Sequence, residues 1–451
     1  MKRGPFSQQK IAVLGAGESG IEAARLLVGR KAHVHVLDTA SEHVLQKAAQ
    51  TLSKESILLA AGADALACAR DAKRYDLAVI SPGIDPATPL AQGFFQAGVP
   101  VISELELAYL HCPVPVVAIT GTNGKTTTTQ LIEAVFNGCG VPTVACGNIG
   151  PAFSSKVVSS RNLSAMTVEV SSFQLERIES FKPKVSVWLN FTPDHLDRYD
   201  SMRQYFDAKA RIFENQSETD WAVVNGGDEL PQIRARKITF SASRSDTDFI
   251  LRNGEICFRG ETVLRMEDTA LRGIHNGENL MAALGVGFTW GLSWEQMRRP
   301  LCEYRPLPHR CERVSMANGV EFINDSKATN VDALQKALLS QDKPVVLIAG
   351  GKDKGFEFDA VTSLVAEKCR CVLLIGEMSD RIYALWNQTV PCRQCGSLRE
   401  AVANSRAAAH AGDVVLFSPG TSSFDMFKNY ADRGDQFRDL VLEMSAEERS
   451  A

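Results

Sequence analysis

Short apolar, β-branched runs recur along the chain with helix-period segments between them, and this alternation restricts the fold more than any other feature. The runs are Ile11–Leu14, Val34–Leu37, Leu77–Ile80, Val114–Ile119, Met166–Val170, Val185–Leu189, Val345–Ala349, Val372–Ile375 and Val414–Phe417. Strand, helix and strand in succession make the βαβ unit, whose parallel strands are covered on both faces and so read as continuous hydrophobic stretches. The class is α/β. Two Pro-rich passages, His111-Cys-Pro-Val-Pro115 and Tyr304-Arg-Pro-Leu-Pro-His309, interrupt the alternation. Cuts near 104 and 307 divide the 451 residues into three domains, 1–104, 105–306 and 307–451. Between 236 and 270 the pattern turns to short strands with Asn253-Gly254 and Arg259-Gly260 between them, which predicts an antiparallel excursion in the middle domain.

Hydrophobic residues at 45% and charged residues at 23% allow full cores. Lys and Arg number 49 against 53 Asp and Glu, so no bulk cationic field exists to hold nucleic acid or an anionic membrane surface. The N-terminus lacks the apolar stretch of a signal peptide and no segment has the length of a membrane span, which predicts a cytoplasmic protein. Eleven scattered cysteines suit a reducing compartment. Cys392 and Cys395 have CxxC spacing, but no second pair or His-rich segment accompanies them to make a zinc site.

Ile11-Ala-Val-Leu14 runs into Gly15-Ala-Gly17-Glu-Ser-Gly20 and a helical stretch, with Asp38 ending the next strand. This fits the dinucleotide fingerprint, in which glycines let a pyrophosphate approach a helix N-terminus and an acid binds ribose. The same turn holds any diphosphate-linked nucleotide, or serves as a plain strand–helix turn. Ser81-Pro-Gly83-Ile84 leaves another strand end near the same ligand position. Val116–Thr120 leads to Gly121-Thr-Asn-Gly124-Lys125-Thr126-Thr127 and a helix. The strict GxxxxGK[ST] pattern fails because Ile119 holds the first glycine position, yet strand, glycine turn, Lys-Thr and helix are in order. Backbone N–H groups would cradle a phosphate, Lys125 would neutralise its outer oxygens, and Thr126 would place a hydroxyl on Mg²⁺.

Glu169 interrupts an apolar strand, so a cation must compensate its carboxylate, either Mg²⁺ or an Arg or Lys from a neighbouring strand. Lys209 falls on the stripe Met202, Phe206, Lys209, Phe213 at helical spacing. It is either a snorkelling lysine or an amine that takes up CO₂ to become an anionic carbamate near metal. His195, in Asp194-His195-Leu-Asp197 beyond the strand ending at Leu189, is a metal-ligand candidate or a structural histidine, with Asp194 and Asp197 as lesser candidates.

Taken together, Gly121–Thr126, Gly147-Asn-Ile-Gly150, Glu169–Glu176, Asp194-His195, Ala208-Lys209, His275-Asn276 with Asn279, Leu307-Pro-His-Arg310 and Asn324–Asn330 resemble the Mur ligases of peptidoglycan synthesis, in one order along the whole chain. Ser81–Ile84, Glu169–Glu176 and Ser418–Phe427 are most similar to the members that add D-glutamate to UDP-N-acetylmuramoyl-L-alanine. The resemblance implies three domains: a Rossmann-like UDP-substrate domain, a central P-loop ATPase-like parallel sheet that binds ATP and Mg²⁺, and a Rossmann-like C-terminal domain that binds the amino acid. It implies an ADP-forming amide ligase working through an acyl phosphate, with Lys125, His195 and Lys209 as catalytic residues. One Mg²⁺ would sit on Thr126 and Glu169, and a second would be held or supported by His195 and carbamylated Lys209. ATP contacts would extend from Gly121, Thr122, Asn123, Gly124, Lys125, Thr126 and Thr127 to Asn276, Asn279, Arg310 and Asp325.

The same resemblance assigns UDP-substrate contacts to Gly15, Gly17, Ser19, Asp38, Thr39, Gly83 and Asn148, with His195 also near the substrate. Ala40 stands where some relatives place an arginine. D-Glutamate contacts fall on Thr329, Lys354, Ser423 and Phe424. Lys354 follows a buried strand in Gly350-Gly-Lys-Asp-Lys-Gly355, and Ser423 is expected to open a helix over 424–430; an ammonium and a helix N-terminus both suit a dicarboxylate. The resemblance implies a monomer acting on small molecules. The rivals are a sister Mur ligase, a folylpolyglutamate-type ligase, an NAD-dependent oxidoreductase built on Gly15–Gly20, and a P-loop regulatory switch.

Overall fold

A computed structural model describes residues 6–148, 150–194, 198–306, 308–353 and 357–450. Its strands form three sheets. The first contains β1 (Lys10–Leu14), β2 (His33–Asp38), β3 (Leu58–Ala61), β4 (Leu77–Ile80) and β5 (Val101–Ser103) in the order β3-β2-β1-β4-β5, every pair parallel. The second contains β6 (Val116–Thr120), β7 (Thr143–Gly147), β8 (Ala165–Glu169), β9 (Val185–Trp188), β10 (Trp221–Asn225), β11 (Arg236–Ser241), β12 (Phe249–Arg252), β13 (Glu255–Phe258) and β14 (Glu261–Arg265). Their order is β14-β13-β12-β11-β10-β9-β6-β8-β7. The third contains β15 (Glu312–Ala317), β16 (Val320–Asn324), β17 (Val345–Gly350), β18 (Cys369–Ile375), β19 (Cys392–Gln394) and β20 (Val414–Phe417), ordered β15-β16-β20-β17-β18-β19. Only β15 runs antiparallel to its neighbour in this third sheet.

The three α/β sheets agree with the sequence reading, and the strand boundaries fall within a few residues of the apolar runs. One expectation needs correction. β11 and β12 are parallel additions to the central sheet, and the chain first reverses between β12 and β13, at Asn253 and Gly254. Both residues have positive φ (51° and 78°), as a tight hairpin turn between twisted strands requires. The excursion is therefore a continuation of the nine-stranded sheet, antiparallel only in its outer part.

The described chain divides into two compact units. One holds the first two sheets; the other holds the third sheet together with residues 265–277 and the segment beginning at Thr192. Within the first unit one apolar cluster runs from Val13 and Val36 through Leu105 and Phe153 to Val168 and Trp188. The helix Glu104–His111 contributes two buried acids to that junction. Glu106 accepts N–H bonds from Glu179 (3.0 Å), Ser180 (2.9 Å) and Phe181 (2.9 Å), and Glu104 accepts one from Ser154 (2.8 Å). These carboxylates cap backbone of the central domain from a helix that follows β5, so the two sheets share a hydrogen-bonded seam.

His111 ends this helix with Nε2 buried and without a hydrogen-bond partner, its ring edge-on to Phe6. Burial, with the charge of Arg30 second, pulls the imidazole down to about 4. Below pH 6.5 the unfolded imidazole binds a proton that the folded one refuses until about pH 4, so stability declines as pH falls through this window, by about 1–3 kcal/mol. His111→Leu is expected to flatten that decline, as read from urea-unfolding midpoints between pH 7 and 4.5.

Candidate active site

The central sheet places its chemistry where β6 ends. Thr120 is followed by a four-residue loop and then by the helix Lys125–Gly138. Asn190, just past β9, holds the loop by three bonds: Thr122 N donates to Asn190 O (3.0 Å), Asn123 N donates to Asn190 Oδ1 (2.9 Å), and Asn190 Nδ2 donates to Asn123 O (3.0 Å). Asn190 has no role in the sequence reading; an Asn just past the strand beside β6 is the available signal. Gly124 has φ +85°, and a Cβ there would lie 2.3 Å from Asn279 Oδ1, which accepts a bond from the Thr128 hydroxyl at 3.1 Å. Only glycine fits this turn. Gly124→Ala is expected to destabilise the protein by about 1–2 kcal/mol, measured by thermal melting.

Two lysines and one acid meet at this loop. Lys125 Nζ donates to the carbonyls of Gly121 (2.9 Å) and Thr122 (2.8 Å), and Lys209 Nζ donates to that same Gly121 carbonyl at 2.8 Å. Lys209, on the helix Met202–Ala210, is 2% exposed and lies 4.7 Å from the centre of the Tyr205 ring. The pairing of β6 with β8 sets Ile119 opposite Glu169, which brings the buried carboxylate to the start of the helix. Glu169 Oε2 accepts from Thr126 Oγ1 at 2.7 Å and Oε1 from Asn148 Nδ2 at 3.1 Å. No Arg or Lys among the described residues forms an ion pair with Glu169, which removes the neighbouring-strand cation as its partner. Hydroxyl and carboxylate oxygens are the donor set of a hard divalent cation. Mg²⁺ keeps several waters and needs only one or two protein oxygens, so the absence of any group of three His, Cys, Asp or Glu among the described residues is compatible with it. His195 and Asp197 lie outside the described residues. Asp194 Oδ2 accepts a bond from Asn330 Nδ2 at 3.1 Å.

In the first sheet, β1 opens into the turn Gly15–Gly17 and the helix Glu18–Gly29. A Cβ on Gly20 would stand 2.0 Å from the Gly15 carbonyl, so the helix packs onto the turn only with glycine there. Asp38 closes the turn, with Oδ2 accepting from Ala16 N (2.8 Å) and Oδ1 from Ala40 N (2.9 Å). The Ser19 and Ser81 hydroxyls are buried without hydrogen-bond partners, and Thr39, Gly83 and Asn148 are exposed.

The second unit gathers its candidates on loops at the carboxyl ends of β16, β20 and β17, which are adjacent strands. Asp325 is buried, accepting from Ser418 Oγ (2.9 Å) and Cys311 N (3.2 Å); burial lifts its carboxyl to about 6, against the opposing effects of those donors and of Arg310. Asn276 Nδ2 donates to Arg272 O. Thr329 is half-buried, Ser423 is buried, Phe424 is 65% exposed, and Lys354 lies outside the described residues. The helix expected over 424–430 is not formed. Residues 424–429 run through turns, and the helix begins at Tyr430. Asp425 Oδ2 is taken by the Glu377 N–H (2.9 Å) and Ser422 pairs with Lys352, contacts that hold this segment against the loops after β17 and β18 in place of helical winding. Ser423 therefore does not stand at a helix N-terminus.

One residue escaped the sequence reading. Arg433 is 0% exposed on the helix Tyr430–Ser450. Its signal was positional: it precedes buried Phe437 and Val441 at i+4 and i+8, on the apolar face where an arginine is out of place.

Strand, glycine turn, Lys-Thr and helix on a largely parallel sheet define a P-loop-like α/β protein. Comparison with known proteins narrows the class. Residues 9–103 match the Mur ligase MurD-like N-terminal domain, 119–287 the Mur ligase middle domain, and 309–420 the Mur ligase, glutamate ligase domain. The UDP-N-acetylmuramoylalanine--D-glutamate ligase of Geotalea daltonii is 42% identical over 96% of this chain and 97% of its own, and that of Pelotomaculum thermopropionicum is 38% identical over 97% and 98%. Among solved structures, UDP-N-acetylmuramate-alanine ligase MurC from Thermotoga maritima shares the fold, with a TM-score of 0.62 at 17% identity over 97% of this chain and all of that one. The chain belongs to the Mur ligase family.

Proposed function

We propose that this protein is an ATP-dependent, ADP-forming ligase that joins D-glutamate to UDP-N-acetylmuramoyl-L-alanine, in peptidoglycan precursor synthesis in the cytoplasm. What carries the reading is the cluster of Lys125, Lys209, Thr126 and Glu169 around one glycine loop, in a chain whose full-length relatives bear that ligase's name. The proposed labour is divided among a UDP-substrate domain (1–104), an ATP domain (105–306) and an amino-acid domain (307–451), in a monomer.

A carboxylate is a poor electrophile, and its conversion to an acyl phosphate makes phosphate the leaving group. An oxygen of the alanyl carboxylate attacks the γ-phosphorus of ATP and ADP departs. The D-glutamate amine then adds to the acyl carbon, the tetrahedral intermediate expels phosphate, and the amine's proton is lost as the amide forms. Negative charge is concentrated on the transferring phosphoryl group, so preorganised cations are the main requirement. Lys125 supplies one at the β/γ oxygens. Thr126 and Glu169 would hold Mg²⁺, which supplies further charge neutralisation when bound, and His195 with Lys209 would hold or support a second ion.

Lys209 is read as a carbamate. Two ammonium groups on one carbonyl oxygen repel each other in a buried site. Uptake of CO₂ by the neutral amine, with release of one proton, replaces that repulsion with attraction and adds an anionic oxygen donor for metal. Asn279 beside Gly124, with Asn276, Arg310 and Asp325, is assigned to ATP; Gly15, Gly17, Ser19, Asp38, Thr39, Gly83 and Asn148 to the UDP-substrate; Thr329, Lys354, Ser423 and Phe424 to D-glutamate.

The test is ADP release with UDP-N-acetylmuramoyl-L-alanine and each of D-glutamate, L-glutamate, L-alanine and diaminopimelate. D-Glutamate alone is expected to support turnover. Heavy oxygen placed in the alanyl carboxylate is expected in the released phosphate, and its absence during turnover would overturn the acyl-phosphate route. Turnover of ATP without any carboxylate substrate would instead favour a switch.

A further inference from the structure

The buried guanidinium of Arg433 has a place in the fold that the reaction above does not use. Three loops leave the carboxyl ends of β16, β20 and β17; Arg433 bonds the first two and stands beside Gly351 of the third. Its Nε donates to Ser326 Oγ at 3.0 Å, and Nη2 donates to Ser326 O at 2.8 Å and to Thr421 O at 3.2 Å. Nη1 is buried with no hydrogen-bond partner, and a Cβ added at Gly351 would lie 3.2 Å from it. The loops are also tied to one another: Lys352 N donates to Ser422 O at 2.9 Å, and Ser418 Oγ to Asp325 at 2.9 Å. Ser326 stands three residues before Thr329, Thr421 two before Ser423, and Gly351 three before Lys354.

Burying an arginine among Phe417, Phe437 and Val441 is costly, and a methionine would fill the volume without the desolvation penalty. Burial depresses the guanidinium to about 9, against the opposing charges of Asp425 and Asp325. What the charge does that an apolar side chain cannot is fix two backbone carbonyls and a hydroxyl from separate loops in one plane, through a rigid fork of donors.

We propose that Arg433 is the positioning residue of the amino-acid pocket, locking the loops that carry Thr329 and Ser423 into one arrangement and adding a fixed positive charge behind a dicarboxylate substrate. The proposal rests on the D-glutamate reading above. Arg433 acts through the loops and makes no contact with reacting atoms.

Full-length wild type, Arg433→Lys and Arg433→Met are compared by KM for each of the three substrates, kcat and melting temperature. Both variants are expected to raise the KM for D-glutamate roughly 10- to 100-fold, with the KM values for ATP and UDP-N-acetylmuramoyl-L-alanine changed by no more than about twofold. A lysine lacks the planar fork, so it should rescue little. Should Arg433→Met not fold, Ser326→Ala removes one acceptor of Arg433, together with the hydroxyl's bond to Tyr430 O, and is expected to raise the D-glutamate KM about three- to tenfold. Three KM values rising together, or a fall in kcat with the D-glutamate KM unchanged, overturns the positioning role. The wild-type amino-acid panel keeps the two ideas separate. If another amino acid drives ADP release, the D-glutamate reading fails, and the Arg433 variants are then judged on the KM for that amino acid.

Discussion

Lys125→Met is expected to lower kcat for ADP formation about a thousandfold with the melting temperature nearly unchanged. Removal of one preorganised donor from a developing oxyanion costs about 2.7–4 kcal/mol in other enzymes, and Lys125 brings a full charge on the first residue of the helix that follows the glycine loop. The fold should tolerate the loss because Asn190 holds the loop independently, through Thr122 and Asn123. Saturating steady-state assays and a thermal melt read the two quantities separately. Residual activity within about tenfold of wild type would remove Lys125 from the phosphoryl-transfer step.

Lys209→Ala is expected to cost about a hundredfold or more in kcat, and the loss should be partly recovered by millimolar acetate or formate, which can occupy the position of the carbamate's CO₂ group. Lys209→Arg discriminates the alternatives. A guanidinium keeps the charge and can donate to the Gly121 carbonyl, but it does not form the carbamate. If the side chain works as an anion, Arg is as damaging as Ala and added carboxylate does not help it. If it works as a cation clamping the loop, Arg retains most activity and carboxylates do nothing for Ala. Incorporation of labelled bicarbonate, seen as a carbamate carbon resonance in wild type and absent from Lys209→Arg, is an independent reading. The buried position of Lys209 limits both variants, since the site must still pack beside Tyr205 and Ala208.

Local sequence carried the parts of this protein that depend on neighbours in the chain. A buried parallel strand needs a run of apolar residues, so β1, β4, β6, β17 and β20 were evident from their composition. Glycine and Lys-Thr at fixed offsets after β6 announced the strand, glycine turn and helix because the geometry lies within one turn. The Asn253-Gly254 hairpin was evident for the same reason. The helix expected over 424–430 failed because its opponents are distant: Glu377 and Lys352 hold the segment in turns, and no periodicity within 421–430 encodes them.

The sequence by itself determined the fold class, the order of the sheets' building blocks and the glycine turn of the central loop, since each is set by side chains a few positions apart. Tertiary structure alone decided that Lys209 shares an oxygen with Lys125, that Glu169 meets Thr126 across paired strands, and that Arg433 joins loops from two strands. Hydrogen bonds and burial depend on distance in space, and residues 43, 84 or 107 positions apart come within reach only when strand register and helix packing bring them there.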